Sequence, residues 1–107
     1  MDSDRIKEKL GTSKKITLFR YRKRMSLMDL GAEVDLSRQT LSHYERGDSV
    51  PDLVSANAIA NALKVDIKDL LPGEIEITSD ESKYLEERSP SHLHVRRILD
   101  SFKKQRD

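Results

Sequence analysis

The sequence predicts an all-α fold: a domain of five short helices, followed by a C-terminal extension that ends in an amphipathic helix. Three observations lead there. Apolar residues recur at three- and four-residue spacing, as in Leu53, Ala56, Ile59, Ala60 and Leu63. Helix-starting residues punctuate the middle of the chain at short intervals, at Ser26, Ser37, Asp52 and Asp66. The length of 107 residues, 36% apolar and 36% charged, suits one domain with solvated ends. The absence of cysteine excludes disulfides and thiolate zinc sites. The longest uncharged runs fall far short of a membrane span, and Met1–Lys9 is polar, unlike a secretory signal. A cytoplasmic location is expected.

Each element follows from local chemistry. Residues 1–13 read as a polar arm. Thr12 or Ser13 caps a first helix that runs to about Arg24, with Ile16, Phe19 and Arg20 or Lys23 on successive turns. Ser26 followed by Asp29 resembles a capping box and opens a second helix, Leu27–Glu33. After Val34, Asp35 and Leu36, Ser37 caps a third helix, Arg38–Arg46, which Gly47 terminates. Pro51 and Asp52 start a fourth helix through Leu63. Asp66 and Asp69 cap a short fifth that ends at Leu71, before Pro72 and Gly73. The helical domain is therefore placed at 14–73, and 74–107 is read as linker and C-terminal helix. Within the latter, Glu74–Thr78 suits an edge strand or plain extended chain, and Ser79–Ser89 a turn or two of helix. Pro90 precedes a last helix, Ser91–Gln105, with Val95, Ile98, Leu99 and Phe102 in one apolar stripe.

The net charge of +1 conceals an uneven distribution. Met1–Arg24 carries nine cations against three anions, whereas Met25–Gly73 carries four against eight. A polyanion would be met by the first quarter of the chain. The stretch Met25–Gly47 is a capped helix, a three-residue turn, a second capped helix and a glycine stop, which is the helix-turn-helix arrangement (residues 26–46). Gly31 sits where the two helices come closest. Asp35 lies in the turn, where a left-handed residue is often needed. Leu30, Val34, Leu36, Leu41 and Tyr44 are spaced to fill the angle between the helices.

Three pieces, FRYRKRMSLMDLG, LSRQTLSHYERG and ANALKVDIKDLL, fall in the order and spacing of one family. The segment Ile16–Leu71 resembles the phage-repressor, or XRE/Cro-type, helix-turn-helix regulators of transcription. The resemblance implies that Ser37 caps the recognition helix and that Arg38, Gln39, Ser42 and His43 face the bases of double-stranded DNA. Arg38 has the geometry to pair with guanine and Gln39 with adenine, although either could instead meet phosphate. Thr40 and Arg46 would lie near the DNA backbone with Ser37, and Lys14, Lys15, Arg22 and Lys23 would add phosphate contacts. Arg20 and Glu45 match the family's interhelical ion pair, read as structural. The chain departs from the family pattern at Leu27, where a glutamine commonly touches the backbone. It departs again at Arg24, Asp35 and Lys64, where glycine or asparagine often sits, and at Asp48, which faces an expected phosphate.

The expected function is that of a sequence-specific DNA-binding repressor that holds an inverted-repeat operator as a homodimer. The alternative is an antitoxin or interaction module whose segment 74–107 binds a partner protein. The stripe Val95, Ile98, Leu99 and Phe102 fits dimerisation, docking onto its own domain, or a partner. His92 and His94 lie two apart with no companion ligands, so no metal is expected. Neither is a cofactor, a membrane contact or catalysis, because no nucleophile elbow or glycine-rich phosphate loop is present.

Overall fold

The computed structural model describes residues 4–88, in the order β1 (Arg5–Leu10), α1 (Thr12–Arg22), α2 (Leu27–Val34), α3 (Arg38–Arg46), α4 (Leu53–Leu63), a 3-10 turn (Ile67–Leu70), β2 (Gly73–Thr78) and α5 (Ser79–Glu87). The apolar stripe at Val95, Ile98, Leu99 and Phe102 lies outside the described residues.

The fold is not strictly all-α. β1 and β2 form a two-stranded antiparallel sheet, with Arg5 opposite Thr78 and Leu10 opposite Gly73. The segment expected to be a polar arm is thus half of a sheet that ties the start of the chain to residues beyond the helical domain. On the outer face Lys7 opposes Glu76 and Lys9 opposes Glu74, opposite-charge pairs that add roughly 0.2–1 kcal/mol each. The expected fifth helix at 66–71 is a single 3-10 turn. Asp66 and Asp69 do form their reciprocal cap, but only Ile67–Leu70 lie between it and Leu71. The fifth α-helix is instead α5, opened by a capping box between Thr78 and Glu81.

Two apolar clusters flank α1. Ile16 and Phe19 pack with Leu30, Leu41, Ile59, Ala60, Leu63 and Leu70, while Leu18 packs with Leu10, Ile77 and Leu85. Lys15, Ile16, Thr17, Leu18, Phe19 and Arg20 are consequently all buried. A single amphipathic stripe cannot describe a helix with a core on either side. Neither Thr12 nor Ser13 caps it. The N-cap is Gly11, and no side chain caps that end.

The remaining connections follow the sequence closely. The Ser26–Asp29 capping box opens α2. Asp35 ends it in the left-handed region (φ 57°). Gly47 (φ 79°) ends α3, and Lys64 (φ 61°) ends α4. A β-carbon at Gly31 would come within 2.7 Å of the Leu36 carbonyl oxygen, so the close approach of the turn to α2 requires glycine there.

α5 is fastened to the domain by charge as well as by Leu85. The Arg22 guanidinium grips the Glu81 carboxylate through Nε (2.8 Å) and Nη2 (3.1 Å), and Nη2 also donates to the Glu76 carbonyl (3.0 Å). The hydrogen bonds from Arg22 hold the Glu81 carboxyl below its ordinary pKa, assisted by the backbone N–H of the cap and opposed by burial. A carboxylate with a depressed folded pKa stabilises the fold above its unfolded pKa and loses that contribution as pH falls through the folded value. Glu81→Gln is therefore expected to melt below the wild type at neutral pH. The gap should narrow once the pH falls below the ordinary value of 4.5. Melting curves from pH 7 to pH 3 check this, and a gap independent of pH would contradict it.

Candidate nucleic-acid interface

The third helix presents two unlike faces. Leu41 is fully buried and Tyr44 packs against the same cluster. On the other side Arg38 and Gln39 are exposed, and Ser42 and His43 are partly exposed. The helix starts sharply because the Ser37 hydroxyl accepts the Thr40 N–H (3.0 Å). The two hydroxyls also bond each other at 2.8 Å, which commits both side chains to the cap. Arg38 and Gln39, at the first two helical positions, thereby gain a fixed direction.

The helix is held from behind by a buried ion pair. Arg20 Nε and Nη2 donate to the two Glu45 carboxylate oxygens at 2.7 and 2.9 Å, and Nη1 donates to the Met25 carbonyl at 2.8 Å. Both side chains are only 10% exposed. The Glu45 hydrogen bonds raise the Arg20 pKa above its already high ordinary value, against the opposing effect of burial. One guanidinium thus joins three elements: α1, the loop before α2, and α3.

A smaller charge network sits at the end of α3. Asp48 accepts from Arg46 Nη2 (3.0 Å) and lies 3.4 Å from His43 Nδ1. Arg46 Nη2 is also 3.3 Å from that same Nδ1. Nδ1 can accept from Arg46 or donate to Asp48 but not both at once, so the two contacts call for opposite tautomers of His43. Asp48 is less a bare repulsive charge than a brace on Arg46, which it partly neutralises.

Two of the expected phosphate contacts are occupied within the protein. Lys15 is 6% exposed, and its Nζ donates to the Leu71 carbonyl at 2.6 Å, closing the end of the 3-10 turn. Arg22 is bound to Glu81 and Glu76, on the side of the sheet. Lys14 and Lys23 are exposed, as is Arg24, which takes a left-handed backbone (φ 55°). Leu27 has no polar group to offer and packs partly against the core.

Sequence reasoning overlooked Arg88. It stands at the end of α5, 3.6 Å above the Tyr84 ring, and it lines a cleft of about 200 Å³ together with Leu27, Ser42 and Arg46. No pattern in the sequence marks it, because its position depends on α5 packing beside α1. Among the described residues no cluster of histidine or carboxylate side chains is suited to a metal ion. No described helix is long and apolar enough to cross a membrane.

The family model for the helix-turn-helix matches residues 18–70. The chain belongs to the XRE-type helix-turn-helix family. Solved structures agree. The restriction-modification controller protein C.AhdI from Aeromonas hydrophila is 25% identical, covers 56% of this chain and 91% of its own, and superposes with a TM-score of 0.55. The P22 c2 repressor bound to a synthetic operator is 24% identical over 58% of this chain and 94% of its own (TM-score 0.56). SinR, a regulator of biofilm formation bound to DNA, is 23% identical over 55% and 95% (TM-score 0.53). No curated protein matches the chain significantly. Family and fold are those of DNA-binding transcriptional regulators rather than of enzymes. The β1–β2 sheet lies outside the matched segment, and α5 follows it.

Removing one member of a buried ion pair strands the other charge. Glu45→Ala is expected to destabilise the XRE-type domain by about 3–5 kcal/mol, because Arg20 keeps its burial and loses its partner. Urea unfolding followed by circular dichroism measures the loss, and an unmoved midpoint would exclude the structural role.

Proposed function

We propose that the protein is a sequence-specific double-stranded DNA-binding regulator, acting as a repressor, whose third helix enters the major groove. The observation that carries the reading is the two-faced α3, with Leu41 and Tyr44 turned inward and Arg38, Gln39, Ser42 and His43 left to the outside. Arg38 is suited to guanine and Gln39 to adenine, and Lys14 and Lys23 are free to meet phosphates. The protein works as a homodimer on an inverted repeat in the cytoplasm, its two recognition helices about 34–36 Å apart. The exposure of Val50, Leu53 and Val54 (81%, 74% and 80%) supports an apolar contact with a second chain.

Selection of bound duplexes from a random pool tests the proposal directly. The wild type should enrich a two-fold symmetric motif. Arg38→Ala or Gln39→Ala should relax preference at one position per half-site, each contact contributing about 1–3 kcal/mol of discrimination. An unchanged motif in both variants would refute the assignment of α3.

Asp48 gives a second measurement. Its carboxylate holds Arg46 and would sit near the negative backbone of a bound duplex. Asp48→Asn should therefore tighten binding to every duplex by several-fold at low salt and steepen the salt dependence by about one unit of log K per log salt. Equal or weaker binding would show that bracing Arg46 outweighs the charge.

A further inference from the structure

The proposed interface has two parts, the exposed face of α3 and the cations of α1. Between them lies the cleft of about 200 Å³, whose floor is the Arg20–Glu45 pair and whose walls are Leu27, Ser42, Arg46 and Arg88. Three of the walls belong to the helix-turn-helix, whereas Arg88 comes from α5, beyond the matched segment. We infer that Arg88 is a DNA-phosphate ligand, and that α5 is an added part of the nucleic-acid interface rather than a passive cover for the domain.

The placement is firm. Leu85 is buried against Leu18 and Ile77, Glu81 is gripped by Arg22, and the Tyr84 ring stacks on Tyr21 with centroids 4.1 Å apart. Arg88, one helical turn after Tyr84, rests on that ring at 3.6 Å. A cation–π contact engages the charge of a guanidinium without pairing its N–H groups with an acceptor, so they remain available to an anion. Among the described residues Arg88 pairs with no carboxylate, unlike Arg20, Arg22 and Arg46.

The cleft's own chemistry indicates what it lacks. Arg20 has all of its charge met by Glu45, and Arg46 shares its charge with Asp48. The side chain of Leu27, at the first position of α2, offers no donor. An anion entering beside Ser42 therefore finds a hydroxyl, a half-neutralised guanidinium and, on the far wall, Arg88, which no carboxylate among the described residues opposes. Ser42 shares the outward face of α3 with Arg38, so a duplex read by that helix brings its sugar-phosphate strand past this opening. A backbone phosphate is the occupant these observations favour, and Arg88 supplies the forked donor that Leu27 does not.

The inference rests on the proposed DNA-binding function, and its test separates the two. Full-length wild type, Arg88→Ala and Arg88→Lys are titrated by fluorescence anisotropy on the selected duplex and on an unrelated one, between 50 and 200 mM salt. Loss of one phosphate contact should lower the salt slope of Arg88→Ala by about 0.9, so that the wild type's advantage shrinks about 3.5-fold across that range. The same change should appear on both duplexes, because a phosphate carries no sequence information. Arg88→Lys should keep the wild-type slope, and the melting temperature should stay the same in all three, which excludes an effect through unfolding. Identical slopes for wild type and Arg88→Ala overturn the inference while leaving the α3 assignment standing. A wild type that binds neither duplex overturns both.

Discussion

The Arg20–Glu45 pair is the constraint on which the geometry of the recognition surface depends. A helix-turn-helix reads DNA only if its second helix has one orientation, and apolar packing alone leaves a nine-residue helix free to roll or slide. Two parallel hydrogen bonds from a planar fork remove that freedom, since they fix the direction of Glu45 as well as its distance. The third bond, to the Met25 carbonyl, extends the same fixation to the loop that starts α2. Replacement of such a pair by apolar residues can match its stability, so its value lies more in setting one arrangement than in net energy.

The second organising feature is the central position of α1. With a core on each side it makes the sheet and α5 part of one folded body with the helix-turn-helix. Several contacts across this body start from residues of α1: Lys15 to the 3-10 turn, Leu18 to the sheet, Arg20 to α3, Tyr21 and Arg22 to α5. The basic run Arg20–Arg24 is thereby divided between jobs. Arg20 and Arg22 are tied inside the molecule and Lys23 and Arg24 are exposed. A charge run in a sequence does not distinguish these fates, because consecutive helical residues point about 100° apart and meet different neighbours.

What was legible in the sequence was whatever short-range chemistry decides. The Ser26–Asp29 box, the Ser37 cap, the left-handed Asp35 and the Gly47 stop each depend on atoms within four residues, and together they place α2, the turn and α3. What was hidden depends on distant partners. β1 conceals its alternation because Glu8 occupies an inward position between Ile6 and Leu10, a polar intruder that becomes acceptable only when the Ser82 hydroxyl of α5 donates to it at 3.1 Å. Its partner strand lies some seventy residues away, so no turn signal joins them. Lys15 looked like a surface cation for the same reason: its partner, the Leu71 carbonyl, is 56 residues distant.

The candidate site has the same division, and it bears on how affinity and specificity are balanced. The face of α3 is local and was legible; its electrostatic setting is tertiary and was not. Asp48 restrains Arg46, which lowers the positive charge this surface offers a polyanion while it narrows the range of directions the guanidinium can take. Nonspecific binding scales with the number of phosphates met, whereas discrimination requires donors held in place. In the proposed interface, an acid set among cations at the end of α3 would weaken the first to favour the second. Arg88, held over the Tyr84 ring outside the helix-turn-helix, would then add a phosphate contact away from the proposed base-facing side chains.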